Sequence, residues 1–291
     1  MPQTYEYHRP GDIEAACRLL SKLEDAQVLA GGTDLLFDIE AGLRQARHVV
    51  SLKRVTELKQ GRDEGNHVSI GAGCTAREVQ SSALVREFFP EIAEMVVLFA
   101  SPQVRTRATV AGNICSAVPC GDFPVILIAL GAQIELASTR GTRAVPLEKF
   151  FAGPRETLRE KDELLTRILI PKKSPGSAAS YLKIQRRASN SLAVASAGAF
   201  LHVRDGLCRA ARIVLGAVAP VPLLVEKAGT ALVGHPVSPE TIAAAAQLAR
   251  NAACPISDVR GTQDYRRKLV YVLTRRALNS AAEKLQRKNR E

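Results

Sequence analysis

Val28-Leu29-Ala30-Gly31-Gly32-Thr33-Asp34-Leu35 decides how this chain is read, in combination with a second glycine turn, Thr109-Val110-Ala111-Gly112-Asn113. Both stretches are short and made of small residues, and each follows an apolar or β-prone run. A dinucleotide carries two phosphates, and bare backbone amides in tight turns are suited to hold them. Thr33 and Thr109 add hydroxyls, and Asp34 suits a cap for the segment that follows it. Gly112 allows close backbone approach, and Asn113 can both donate and accept. Either turn alone would be an ordinary loop. The pair points to phosphates.

The surroundings of these turns read as alternating helices and strands. Helical spacing of Ile13, Cys17, Leu20 and Leu23 predicts a helix over 11–24, capped near Asp12. Short strands are expected at Gln27–Ala30 and Arg47–Leu52, so the region to about residue 57 is a small α/β unit. A second unit opens at His67–Gly73. Helices are expected over Ala76–Phe89 and Pro90–Phe99, and strands over Ala132–Ala137 and Leu164–Pro171. Gly141–Pro146 reads as a turn with a short strand. Lys172-Lys173-Ser174-Pro175-Gly176-Ser177 marks a domain boundary. Beyond it, strands at Ala178–Gln185, Ala193–Val203 and Arg209–Ala217 predict an antiparallel sheet. Helices are expected at Pro239–Ala253 and Gln263–Leu285. The division is therefore 1–175, with parts of about 1–57 and 58–175, and 176–291.

Composition narrows the class. With 291 residues, 46% of them hydrophobic, a full core can form. No apolar run approaches the roughly 18 residues a membrane span requires. The longest, Phe123 to Leu130, suits a buried strand or helix. No signal peptide is visible at the N-terminus, so the six cysteines are expected as reduced thiols in a cytoplasm. The net charge is +11, and residues 251–291 carry ten Lys/Arg against four Asp/Glu. Aromatics make up only 4% and no nucleic-acid module accompanies the charge, so nucleic acid is not expected. A solvated or subunit-facing helix is, with Arg266, Arg267 and Lys268 as a docking face.

Other motifs carry weaker signals. Gly71-Ala72-Gly73-Cys74-Thr75-Ala76 matches G-x-G-x-x-A, but no acidic residue closes a second strand downstream, so a strand-end turn is expected. Cys115 and Cys120 have no second pair, and His8, His48, His67, His202 and His235 show no ligand pattern in sequence. No metal site is expected, and the role of the two cysteines stays open. Nothing resembles a hydrolase constellation.

Ala30-Gly31-Gly32-Thr33-Asp34-Leu35-Leu36 and the run from Ser101 to Cys115 resemble the two signatures of the FAD-binding medium subunits of molybdenum hydroxylases. This family includes the xanthine dehydrogenase and carbon monoxide dehydrogenase medium subunits. The resemblance extends through Gly141-Thr142-Arg143, Phe150 to Pro154, Asp162 to Leu165 and Asp264-Tyr265-Arg266. It implies an α+β fold: a two-part FAD domain of the vanillyl-alcohol-oxidase (PCMH) type, then a smaller α+β domain with an antiparallel sheet and helices.

The resemblance also implies a set of FAD contacts. These are the first turn, Val28, Leu29, Ala30, Gly31, Gly32, Thr33, Asp34 and Leu35, and the second, Thr109, Val110, Ala111, Gly112 and Asn113. Phe99, Ser116 and Asp122 are implied beside them. Leu165 is implied to pack on the isoalloxazine, and Lys183 to lie near the flavin as a cation. Ala111 stands where the family usually has glycine. Pro119-Cys120-Gly121 replaces a commoner small-residue run.

By this resemblance, the molybdopterin centre sits on a large partner subunit and [2Fe–2S] clusters on a small one. Electrons reach FAD here and pass to NAD+ or another acceptor. The overall pattern is most similar to xanthine dehydrogenase FAD subunits. Carbon monoxide, nicotinate and aryl-CoA enzymes are the alternatives, and a free-standing FAD oxidase is a further one.

Overall fold

The computed structural model describes residues 4–187 and 190–288. The chain opens with β1 (Glu6–His8), α1 (Ile13–Lys22), β2 (Ala26–Leu29), α2 (Leu35–Glu40) and β3 (His48–Ser51). Asp12 caps α1, its Oδ1 accepting the Ala15 N–H at 2.6 Å. β3 lies between β1 and β2 and runs parallel to both. Parallel neighbours require crossovers, which α1 and α2 help to provide.

The next unit runs through β4 (Gly61–Asp63), β5 (His67–Gly71), α3 (Ala76–Ser81), α4 (Ala83–Phe88), α5 (Pro90–Leu98), α6 (Pro102–Arg105), α7 (Val110–Cys115) and α8 (Asp122–Ala129). It continues with β6 (Gln133–Ser138), β7 (Gly141–Pro146), β8 (Phe151–Gly153), β9 (Glu156–Thr157) and β10 (Leu164–Pro171). β8 and β9 pair with each other, and the rest form an antiparallel sheet ordered β4-β5-β10-β6-β7. The single helix expected over Ala76–Phe89 is broken at Ser82, whose extended backbone and Oγ start α4 afresh. Gly141–Pro146 is a complete edge strand.

The last unit holds β11 (Ser177–Gln185), β12 (Ala193–Arg204), β13 (Leu207–Gly216), β14 (Leu223–Leu224), α9 (Glu226–Thr230), α10 (Pro239–Ala252) and α11 (Gln263–Lys288). Its strands form an antiparallel sheet in chain order. Both faces are covered, which explains the small residues of β12. Ala179 and Tyr181 join the core built around α8, whereas Ala178, Ala195, Ala197 and Ala199 join the core beneath α10 and α11. The apolar run Phe123–Leu130 is thus explained: α8 is buried along its whole length because protein packs on every side of it. A Cβ on Gly216 would meet Val125 Cγ2 at 2.6 Å, so only glycine lets α8 approach the sheet there.

The segment expected as a boundary is tied down rather than loose. Lys172 Nζ is 2.8 Å from Asp63 Oδ2, and Lys173 Nζ is 2.7 Å from the buried carboxylate of Glu91. The expected docking face also needs correction. Arg266 is buried, donates to Ala217 O at 3.0 Å and pairs with Asp258, so it belongs to the core and not to a surface. Among the described residues, no helix is long and apolar enough to cross a membrane.

Candidate functional site: a cleft between two turns

The two turns meet. A Cβ on Gly31 would lie 2.0 Å from Arg107 O, so the first turn packs directly on the backbone leading into the second. Nothing larger than glycine fits there. Gly32 follows with φ +81°, in the left-handed region glycine favours. The hydroxyl of Ser116, on the far end of α7, donates to Asp34 Oδ2 and also lies 2.8 Å from Gly112 O. Backbone contact and hydrogen bond together fix the two turns against each other.

Two local readings change. Asp34 holds the cap position of α2 but makes no side-chain cap bond, because its carboxylate is turned to Ser116. Thr109–Asn113 is the start of α7 and not a loop. Thr109 Oγ1 accepts the Gly112 N–H at 3.0 Å, and Val110, Ala111 and Ile114 bury the apolar side of the helix. The cap uses the Thr109 oxygen as acceptor and leaves the hydroxyl proton for another partner. Asn113 Oδ1 accepts the Phe123 N–H at 3.3 Å, which leaves its amide N–H groups to donate.

Between the turns lies a cleft of about 530 Å³. It is lined by Val28, Ala30, Gly31, Gly32, Thr33, Asp34, Leu35, Phe99, Thr109, Gly112, Asn113, Ser116 and Asp122. Leu29, Val110, Ala111 and Leu165 are buried and do not line it; neither does Lys183. A smaller hollow of about 330 Å³ shares Ala30, Gly31 and Thr109 and adds Lys53, Lys59 and Arg107.

Lys183 reaches the cleft through Asp122. Its side chain is 1% exposed, and Nζ lies 3.0 Å from Asp122 Oδ2. The Tyr181 hydroxyl donates to the other oxygen of the same carboxylate. Burial pushes the Asp122 carboxyl up from its ordinary value, and Lys183 and Tyr181 draw it part of the way back. Burial, then the neighbouring Asp122, pushes the Tyr181 phenol well above the usual range.

Several lining residues were not among the expected contacts. Arg44, Arg155 and Asp38 form one group, with Arg155 Nη1 2.7 Å from the buried Asp38 carboxylate. Cys115 and Cys120 are lining residues whose thiols are pushed up by burial. Asn190, Ser191 and Leu192 close another side from the β11–β12 turn. These contacts bring together positions more than a hundred residues apart, which no local pattern encodes. The G-x-G-x-x-A segment is a strand-end turn as expected. The bare Gly71 accommodates Leu58 O, and the turn braces α7 through Val110 N–H to Cys74 O at 3.1 Å.

The cleft fits a flavin dinucleotide. The first intrahelical bond at α2 is Leu36 N–H to Gly32 O at 3.2 Å, so the amides of Gly32, Thr33 and Asp34 precede it. Amides at that point have no acceptor in their own helix and suit a diphosphate. Val28, Leu35 and Phe99 supply apolar walls. The Phe99 ring is fixed edge-on to Phe123, with centroids 5.4 Å apart.

Comparison with known proteins agrees. Residues 3–173 match the family described as FAD binding domain in molybdopterin dehydrogenase, and residues 155–281 the CO dehydrogenase flavoprotein C-terminal domain. The carbon monoxide dehydrogenase medium chain of Afipia carboxidovorans is 37% identical, over 97% of this chain and 98% of that one. A carbon monoxide dehydrogenase structure from Hydrogenophaga pseudoflava superposes with TM-score 0.95 at 35% identity, covering 97% of this chain and 99% of that chain. The putative xanthine dehydrogenase FAD-binding subunit of Escherichia coli is 27% identical, over 94% of this chain and 95% of that subunit. The signatures, the cleft they enclose and the two matched families all describe one kind of protein: this chain belongs to the FAD-binding medium subunits of the molybdenum hydroxylases.

Proposed function

We propose that this chain is the FAD-carrying subunit of a carbon monoxide dehydrogenase-type molybdenum enzyme. The molybdopterin centre belongs on a large partner and [2Fe–2S] clusters on a small one, with NAD+ or another acceptor downstream. What carries this reading is the phosphate-ready cleft in a chain that aligns over almost its full length with a carbon monoxide dehydrogenase medium chain. Xanthine dehydrogenase, favoured from the sequence motifs, is the weaker alternative, because the relative of that name is ten percentage points less identical. Nicotinate and aryl-CoA enzymes remain within the broader reading.

Bound FAD supplies reversible two-electron chemistry that can be delivered one electron at a time. The chain's own task is to bind and orient. Residues 1–175 are the flavin unit and 176–291 the smaller domain packed on α8. The amides from Gly31 to Asp34 and the Thr109–Asn113 cap hold the diphosphate. Phe99 provides a fixed apolar surface. Asp122, paired with Lys183 and hydrogen-bonded by Tyr181, offers an acceptor to a sugar hydroxyl. Leu165 supports the flavin side from the core. No general acid or base for an organic substrate is required on this chain.

Co-expression with the large and small subunits of a carbon monoxide dehydrogenase tests the proposal. The purified complex is expected to contain FAD, and the flavin to bleach anaerobically on addition of carbon monoxide. Bleaching by xanthine but not carbon monoxide would overturn the assignment of enzyme type. A colourless chain in an otherwise assembled complex would overturn the flavin role.

A further inference from the structure

We propose that Glu6, His8 and His48 form a binding site for a tetrahedral divalent transition ion, Zn2+ first among them, on the face of the N-terminal sheet. The sequence shows no ligand pattern here because forty residues separate the histidines. The sheet removes that separation. β1 and β3 are parallel neighbours with Glu6 opposite His48 and His8 two residues further along. Alternate residues of a strand share a face, so all three side chains point the same way. Ala26, opposite His48 on its other flank, adds no bulk.

The spacing of the donor atoms is what a small ion needs. His8 Nε2 lies 3.1 Å from His48 Nδ1, His48 Nδ1 is 3.3 Å from Glu6 Oε2, and His8 Nε2 is 3.8 Å from Glu6 Oε1. A tetrahedron with metal–ligand bonds of about 2.0–2.1 Å has edges of about 3.3–3.4 Å. The two separations at His48 Nδ1, to His8 Nε2 and to Glu6 Oε2, lie close to that edge, and one ligand atom from each of the three residues lies within 4.8 Å of the others. Two imidazoles and a carboxylate also suit Zn2+ in ligand type, leaving a fourth position for water. The imidazoles are largely sheltered, at 15% and 22% exposure, while Glu6 is open to solvent and gives the ion an entry path. β1 is a three-residue edge strand, and an ion bridging it to β3 would pin the start of the chain to the sheet.

The test uses the full chain stripped with chelator and titrated with Zn2+ by calorimetry, with Co2+ as a coloured substitute. One equivalent is expected to bind, to raise the melting temperature and, as Co2+, to give the absorption of a tetrahedral site. His8→Ala and His48→Ala are each expected to weaken binding more than about tenfold, the lower range seen when even an outer-shell partner is lost. Glu6→Gln should weaken it less than either histidine change. The flavin content of these variants should match the parent, which shows that they are folded. Unchanged Zn2+ affinity in the His8→Ala/His48→Ala double variant would overturn the proposal, since the binding groups would then lie elsewhere on the chain. No stoichiometric binding to the parent chain would overturn it equally.

Discussion

Gly31 is the point at which the first turn packs on the backbone leading into the second. Its Cα faces Arg107 O so closely that a methyl group cannot be added without moving one turn off the other. Forced overlaps of this kind cost about 1–3 kcal/mol, which, drawn from binding, corresponds to roughly 5- to 160-fold in affinity. Gly31→Ala is therefore expected to lower FAD affinity at least about fivefold, read from the flavin-to-protein absorbance ratio after dialysis. Retention of full flavin content would show that the contact is incidental. Lys183 makes a different kind of contribution. Lys183→Met strands the Asp122 carboxylate in the interior, and breaking a buried pair costs about 3–5 kcal/mol. The raised Asp122 value gives the sign of the pH effect. A carboxyl whose folded value lies above its unfolded one stabilises fully below the unfolded value and loses that contribution as pH rises. The variant should thus recover stability on mild acidification, and Asp122→Asn in the same chain should remove that recovery. Urea titrations at two pH values decide it.

At the scale of elements, the helix α8 and the sheet it lies on depend on each other. A Cβ at Gly216 would also meet Ser196 Oγ at 2.4 Å, so Gly216→Ala pushes simultaneously against β12 and α8. A loss of about 1–3 kcal/mol is expected, seen as a lower denaturation midpoint; an unshifted midpoint would mean that α8 can slide. Elements with a strong internal period were legible in the sequence. α1 showed its apolar stripe and its Asp12 cap, and β10 was bounded correctly from Leu164 to Pro171. What failed to show was anything fixed by a distant partner. α7 read as a loop because its glycine and threonine are turn residues, and only the cap bond and the burial of Val110 and Ala111 make it helical. Arg266 read as surface charge because charge alone carries no record of the Ala217 carbonyl it serves. Likewise the glycine signatures announced the cleft, whereas Arg44, Arg155 and Leu192 on its walls arrived from other parts of the chain.

Over the whole molecule, acid stability should be governed by carboxylates that tie sheet edges together. Arg167, on β10, holds Glu135 on β6 at 2.6 Å and Glu64, beside β5, at 2.9 Å. Arg143, on β7, pairs with Glu163 just before β10. Glu135 is held below the ordinary carboxylate value by its bonds to Arg167, then Thr166, and Glu163 by Arg143 and the Glu160 amide, burial opposing both. Glu64 is lowered first by Ser69 and further by His67 and Arg167, against burial. Asp258 is lowered as well: burial works against ionisation there, but Arg260 and Arg266 outweigh it. The direction is the same in every case, and so is the consequence. A depressed folded value contributes stability that is present above the unfolded value, about 4 for these groups, and is lost as pH falls through the folded value. These groups should consequently leave stability unchanged from neutrality down to about pH 5 and lower it below that. Each part-exposed pair adds no more than about 1 kcal/mol, so the decline should be gradual. Arg167→Met releases Glu135 and removes that side-chain tie between β10 and β6, whose backbone pairing remains. Its loss at neutral pH should be small, and its acid limb should be shallower than the parent's because fewer carboxylates remain depressed. Guanidinium titrations at a series of pH values would show this, and an acid limb superimposable on that of the parent would remove Arg167 from the set that sets acid stability.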